Sequence, residues 1–385
     1  MKFAAIVFIK RQLNMTVYFD SAASYPVLPE VAKVLSGAYK KVFANPSSQH
    51  ELGERAALEI EHCRNKIADS IGAAGSEVIF TSGATESNNL ALKGHFSLET
   101  GNKTRHFVMS ATEHKCVHAI ADYLHRTFGI EISLAVPNNA GVITSGAVEN
   151  ALRPDTELVS VMHVNNELGT TNPIEDIGAL CFQRGIKFHT DAAQSFLKSD
   201  IDVDAMNIDY ASFSAHKIGG PKGIGAVYIR DQRKLHLEPT IHGAGQEEGL
   251  RGGTVAAPLI MGFSTAIEQF PTIYHNLTGL EHKKRLLEAL QVQKIAYRVN
   301  GEGIASIVSL TLPNTDVQAL LLNSVTELAL ATGSACSSKE IEPSHVLTSM
   351  GLSTALAEKT LRLSFHEGIT PQQIDALAGW IKRFS

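Results

Sequence analysis

The chain is poor in cysteine. Cys63, Cys116, Cys181 and Cys336 are all it has, and no two of them form a Cys-x-x-Cys pair. That sparseness speaks against a disulfide framework or a zinc knuckle, so no metal site is expected, and it suits a reducing compartment. Basic charge is not in excess either: 34 Lys and Arg stand against 39 Asp and Glu, a net charge of −5. Direct nucleic-acid binding wants a basic face and is not expected, although a partner that itself handles nucleic acid stays open. Long apolar runs are missing as well. Phe3–Ile9 is too short to span a bilayer, and Lys10-Arg11 follows it where a signal peptide would have a small-residue cleavage site. The expectation is a cytoplasmic protein with no membrane segment. No internal repeat, low-complexity tract or long linker interrupts the 385 residues, and 44% hydrophobic with 19% charged residues supplies ample core.

What is present is an alternation. Strand-like apolar runs recur at Glu77–Thr81, Arg105–Ser110, Ile130–Val136, Leu158–His163, Ile186–Thr190, Tyr210–Phe213 and Ala226–Ile229. Amphipathic stretches such as Glu86–Phe96, Cys116–Thr127 and Ile174–Arg184 separate them. This pattern predicts an α/β fold with a mainly parallel sheet. Beyond Ala266 it changes to a helix, Ser306–Thr311, a helix near Asp316–Ser324, Leu328–Ala331 and a closing helix over Pro371–Lys382, which reads as a smaller α+β unit. The expected division is residues 27–266 as a large cofactor-binding domain and 15–26 with 267–385 as a small domain. Residues 1–14 are expected to be an N-terminal extension ahead of Met15.

Ligands of open α/β sheets bind at the carboxyl ends of the strands. Thr81-Ser-Gly-Ala-Thr85-Glu-Ser-Asn-Asn follows one strand and opens a helix, where backbone amides and hydroxyls form a cup for an anion. Alone it reads equally as a capped turn. Glu113-His114-Lys115, His163-Val-Asn165-Asn166 and His189-Thr-Asp191-Ala-Ala-Gln194 each follow a further strand. Lys217 lies in Ser212-Phe-Ser-Ala-His216-Lys217-Ile-Gly-Gly, fixed between a strand end and glycines. A lysine becomes a catalytic amine when its surroundings present it to a carbonyl. Anion cup, flat His, acidic Asp and reactive Lys together are the parts that pyridoxal 5′-phosphate requires of a protein.

These segments resemble the fold-type I pyridoxal-phosphate enzymes of aminotransferase class V, and within them the cysteine desulfurases of the NifS/IscS-like branch. The resemblance runs from about Tyr18 to the C-terminus. It is carried by Phe80–Asn89, Ala111-Thr-Glu-His-Lys115, Met162-His-Val-Asn-Asn-Glu167, His216-Lys217, Arg251-Gly-Gly-Thr254 and Ala331-Thr-Gly-Ser-Ala-Cys336-Ser-Ser338. It implies Lys217 as the cofactor-linked lysine, with His114 stacked on the ring and serving in acid–base chemistry. Asp191 would pair with the ring nitrogen and Gln194 with the ring hydroxyl. Ala84, Thr85, Ser214 and His216 would hold the phosphate, and Thr254 would reach the phosphate of the other subunit of a homodimer. Asn166 and Arg362 would hold the substrate carboxylate, Asn166 also touching the cofactor.

Cys336 would define the reaction. Its small neighbours make a segment able to travel, and the resemblance implies that its thiolate takes sulfur from L-cysteine, leaving L-alanine and a Cys336 persulfide for an acceptor protein. Iron–sulfur cluster assembly, DNA phosphorothioation and tRNA thiolation are the pathways implied. A class V aminotransferase or lyase acting on another small amino acid is the alternative. Two segments depart from the family form: Asp20-Ser-Ala-Ala-Ser24 lacks the usual Asn- and Thr-rich pattern, and Ser364–Ile369 lacks a Gly-Arg pair. The sequence ends at Ser385 without the longer tail of housekeeping relatives, which brings a dedicated sulfur donor close behind cluster assembly, the first general reading.

Overall fold

A computed structural model describes residues 16–97, 105–232, 237–332 and 343–385. Cys336 lies outside the described residues, as do positions 1–15.

The first strand, β1 (Val17–Tyr18), belongs to a two-stranded pair. A seven-stranded sheet follows: β2 (Val78–Thr81), β3 (His106–Ser110), β4 (Glu131–Ala135), β5 (Thr156–Ser160), β6 (Lys187–Asp191), β7 (Tyr210–Ser214) and β8 (Gly225–Ile229). Their order is β2-β8-β7-β6-β5-β3-β4. The run β7 through β4 is parallel, and β8 alone is antiparallel to both of its neighbours. All seven predicted strands are present. They were visible because helices cover both faces, so runs such as Val-Ile-Phe-Thr and His-Phe-Val-Met-Ser are buried at every position. Edge strand β4 is largely exposed, with Ala135 its one buried residue.

The covering helices follow from spacing. In Glu51–Asp69, Ala56, Ile60, Cys63 and Ile67 are buried at intervals of four, three and four residues, one stripe of a helix. Each large apolar side chain so buried contributes about 1.5–3 kcal/mol. Helix Ala257–Ile273 crosses residue 266 without a break and joins the same core through Ile260, Phe263, Ala266 and Phe270.

A second core has its own members, among them Phe19, Leu286, Leu310, Leu363 and Leu377. It lies on a four-stranded antiparallel sheet, β12-β13-β10-β9, built from β9 (Arg298–Asn300), β10 (Ile307–Thr311), β12 (Ala331–Thr332) and β13 (Thr360–Ser364). The predicted single element Leu328–Ala331 is two. Leu328–Ala329 is β11 and pairs in parallel with β1, whereas β12 pairs with β13, so the chain changes sheets at Leu330. The closing helix runs Pro371–Arg383. Thr370 and Gln373 cap its start reciprocally, Pro371 opens it, and Lys382 and Arg383 oppose its dipole at the end. No helix among the described residues is long and apolar enough to cross a membrane.

Candidate functional site

The carboxyl ends of β2, β3, β5, β6 and β7 open onto one cavity of about 410 Å3. Ala84, Thr85, His114, Asn166, Asp191, Gln194, Ser214, His216, Lys217 and Arg362 all line it. Thr254 does not; it is exposed on the chain's surface. Cys336 falls outside the described residues.

The loop after β2 reverses at Gly83, whose φ of +149° is open to glycine, and a helix begins at Ala84 with no side chain capping it. Strand β8 approaches this turn closely: a Cβ on Gly225 would sit 2.4 Å from Phe213 O and 2.6 Å from Gly83 Cα. Glu86 lines the cavity here. Burial raises its pKa, but hydrogen bonds from Arg251 Nε (2.9 Å) and Ser82 N (2.8 Å) outweigh that and hold it low. A carboxylate beside an anion cup is thus already neutralised by Arg251.

His114 is the N-cap of helix Lys115–Phe128, and its Nδ1 accepts from Cys116 N at 3.2 Å. Nδ1 is therefore unprotonated, and burial, with the Lys217 charge, lowers the ring's pKa. A neutral imidazole in this tautomer carries its proton on Nε2.

Asp191 ends β6 and is 5% exposed. Its Oδ2 accepts from Asn88 Nδ2 at 2.8 Å and its Oδ1 from Ala193 N at 3.0 Å. Asn88 also donates to Cys116 Sγ at 3.3 Å. Burial pushes the Cys116 thiol up to about 12, so it stays a neutral thiol in the cavity wall.

Lys217 follows β7 in a short turn, Ala215–Lys217, and its Nζ donates to Ala22 O (2.7 Å) and Ala23 O (3.0 Å). Those carbonyls belong to a strap, residues 20–25, that crosses from the second sheet. Arg362 reaches the cavity from β13. Its Nη2 pairs with Asp20 Oδ1 at 2.6 Å, its Nη1 donates to Asn166 O at 3.2 Å, and its buried Nε has no partner among the described residues. An unfilled donor on a buried guanidinium suits a carboxylate ligand.

The strap and the segment that follows β13 touch each other. Ser21 Oγ donates to Phe365 O (2.9 Å), Ala22 N donates to Ser364 Oγ (2.8 Å), and Tyr25 hydroxyl bonds Glu367. These contacts tie the strap, whose Ala22 and Ala23 carbonyls accept from Lys217, to the segment that follows β13.

The profile described as aminotransferase class V matches residues 17–377. The chain belongs to that family. Among its class V relatives, the cysteine desulfurase IscS of Tolumonas auensis is 39% identical over 380 residues, covering 96% of this chain and 93% of the relative. A solved structure described as SspA in complex with cysteine is 44% identical, with a TM-score of 0.82, over 91% of this chain and 99% of that one. A NifS-like protein superimposes with a TM-score of 0.86 at 31% identity, over 96% and 99% of the two chains. The expected α/β class V fold, with its large, mostly parallel sheet, is the fold observed.

Some residues of this class V site were given no role in sequence. Asn88, Glu113, Glu86 and Asp20 all sit within quoted motifs, and Cys116 lies two residues after His114. Glu113 is fully buried: its Oε1 accepts from Met162 N at 2.6 Å and its Oε2 has no partner among the described residues. Burial, then the Asp191 charge, raises its pKa far above the carboxylate range. His163 and His189 are buried and do not line the cavity; of their motifs Met162, Asn166, Asp191, Ala193 and Gln194 reach it.

Proposed function

We propose that this chain is a pyridoxal-phosphate-dependent cysteine desulfurase, acting as a cytoplasmic homodimer. The observation that carries the reading is one cavity holding the Lys217 amine, the Asp191 carboxylate, neutral His114 and the part-filled guanidinium of Arg362. The donor set fits the cofactor. Ala84, Thr85, Ser214 and His216 would hold its phosphate, Asp191 its ring nitrogen, Gln194 its ring oxygen and His114 its ring face. Thr254, exposed on this chain, would complete the phosphate site of the second copy. Two separate hydrophobic cores support the division into a larger cofactor-binding unit and a smaller one that includes Phe19.

When bound, the cofactor supplies an electron sink for negative charge developing at the substrate Cα. The protein does the rest. Arg362 and Asn166 fix the L-cysteine carboxylate, Arg362 exchanging part of its pairing with Asp20 for the ligand. Lys217, drawn from the Ala22 and Ala23 carbonyls, takes the Cα proton, and Asp191 keeps the ring nitrogen protonated. His114 Nε2–H stands ready to give a proton. The Cys336 thiolate attacks the substrate sulfur; the Cβ–S bond breaks, an S–S bond forms, Cβ takes up a proton in place of the sulfur, and Cα regains the proton that Lys217 removed. Cysteine plus thiol gives alanine plus persulfide, with no outside oxidant.

The test is Cys336→Ser with L-cysteine. The variant is expected to bind cofactor and substrate, seen as a change in visible absorbance, and to form alanine at under one-hundredth of the parent rate. Turnover at the parent rate would reject the mechanism and favour a class V lyase. The persulfide is proposed to pass to an acceptor protein in cluster assembly or in a dedicated nucleic-acid sulfur-modification route. Labelled-sulfur transfer with both acceptor types in competition discriminates them.

A further inference from the structure

Behind the cavity wall lies a second lysine that the proposed reaction does not use. Lys198 is 7% exposed and is carried by the turn that follows Gln194. Its predecessor, Leu197, has φ +57°, a left-handed conformation that side-chain-bearing residues adopt only when their surroundings enforce it. Lys198 Nζ donates to Gln194 Oε1 at 3.4 Å. Gln194 Nε2 donates to Ala22 O at 2.7 Å, and Lys217 Nζ donates to that same oxygen at 2.7 Å. The buried amine is thus connected to the cavity lysine through one amide and one carbonyl.

A primary amide has one accepting end and one donating end. With Lys198 on the oxygen of Gln194, the nitrogen is turned to Ala22 and to the cavity that Gln194 lines. We propose that Lys198 is a positioning residue: it fixes the Gln194 amide so that Gln194 meets the ring oxygen of the cofactor as a hydrogen-bond donor. The inference rests on the cofactor reading given above. A donor there favours the ionised ring oxygen, whereas a flipped amide would demand that oxygen's proton. Burial and the facing charge of Lys217 bring the Lys198 amine down to about 7, and His216 is a further basic group coupled to it. An amine taken out of water among basic neighbours is a poor stabilising device. Orienting an amide is a use that its geometry supports.

The test follows visible absorbance against pH in the cofactor-loaded enzyme, comparing Lys198→Met, Lys198→Arg and Gln194→Leu. Losing the donor leaves the ring oxygen more basic, so the proton it shares with the Lys217 nitrogen is held to higher pH. Lys198→Met and Gln194→Leu are both expected to raise the titration midpoint by about one pH unit, a tenfold change. Lys198→Arg, which keeps donors, is expected to titrate close to the parent. A parent-like midpoint in Lys198→Met beside a shifted Gln194→Leu overturns the role of Lys198 and leaves the cofactor site standing. A shift in Lys198→Arg as large as in Gln194→Leu overturns it too. An unshifted Gln194→Leu removes Gln194 from the ring oxygen and the proposal with it.

Discussion

Asp191 depends on a neighbour in a way that makes the neighbour testable. Asn88 Nδ2 spends one hydrogen on Asp191 Oδ2 and the other on Cys116 Sγ. Asn88→Ala removes a hydrogen bond to a charged group, a loss of about 1.5–3 kcal/mol, and leaves a small void. Asn88→Asp sets two carboxylates side by side and forces one to protonate, which opposes the role of Asp191 directly. Cofactor affinity, measured by equilibrium dialysis, is expected to fall about tenfold or more in Asn88→Ala and further in Asn88→Asp. An Asn88→Asp protein that binds as tightly as the parent would contradict this account. For Lys217, borohydride reduction of the loaded protein followed by peptide mapping is expected to label Lys217, and Lys217→Ala to carry no covalent cofactor. Label on Lys198 or Lys222 would move the site.

The elements differ in how much of them the sequence discloses. Strands buried on both faces are apolar throughout and bounded by helices, so β2 to β8 were legible, and so were the strand-end motifs that they position. Short strands of the second sheet were less so. Arg362 was noticed through a motif, without its strand β13, because Thr-Leu-Arg-Leu-Ser carries an arginine at a position that is 2% exposed. The contacts that finish the site are long-range and leave no local pattern. Arg362 and Asp20 are 342 residues apart, and Arg64 and Glu247 are 183 apart. The latter pair shows what one element does for another. Arg64, on helix Glu51–Asp69, meets Glu247 at 2.7 and 2.9 Å, and Glu247 Oε2 also accepts from Phe80 N in β2. Glu247 and Glu248 hold φ of +49° and +55°, so the pair keeps a strained loop against the sheet, close to Arg251 and Thr254. Glu247→Ala leaves buried Arg64 with Glu61 (3.0 Å) and the Val78 carbonyl (2.8 Å) and strips Phe80 N of its acceptor, and is expected to cost about 1–3 kcal/mol in urea unfolding. A loss below about 0.5 kcal/mol would mean that Glu61 and water replace Glu247 fully.

Across the whole molecule, buried neutral histidines set the acid limit. His95, His163 and His189 are each brought down to about 4, chiefly by burial, in and around the seven-stranded sheet. In the unfolded chain a histidine titrates near 6.5. Between about pH 6.5 and 4 the unfolded chain therefore binds protons that the folded one refuses, and stability falls as pH falls through that window. Each such histidine contributes up to about 1.4 kcal/mol per pH unit to the slope. Glu113 and Glu367 have the opposite sign: their raised folded pKa values mean that their contribution is present below about 4.5 and declines as pH rises, but they are outnumbered by the histidines, since His118 and His216 are also brought down to about 4. The net expectation is a protein markedly less stable at pH 5 than at pH 7.5, read from urea unfolding of the loaded enzyme at matched ionic strength. His163 tests the cause, because burial alone accounts for its shift. His163→Gln cannot titrate, so it should flatten the slope between pH 6.5 and 4 by one histidine's share while leaving the region above pH 7 parallel to the parent. An unchanged slope would assign the acid sensitivity to other groups.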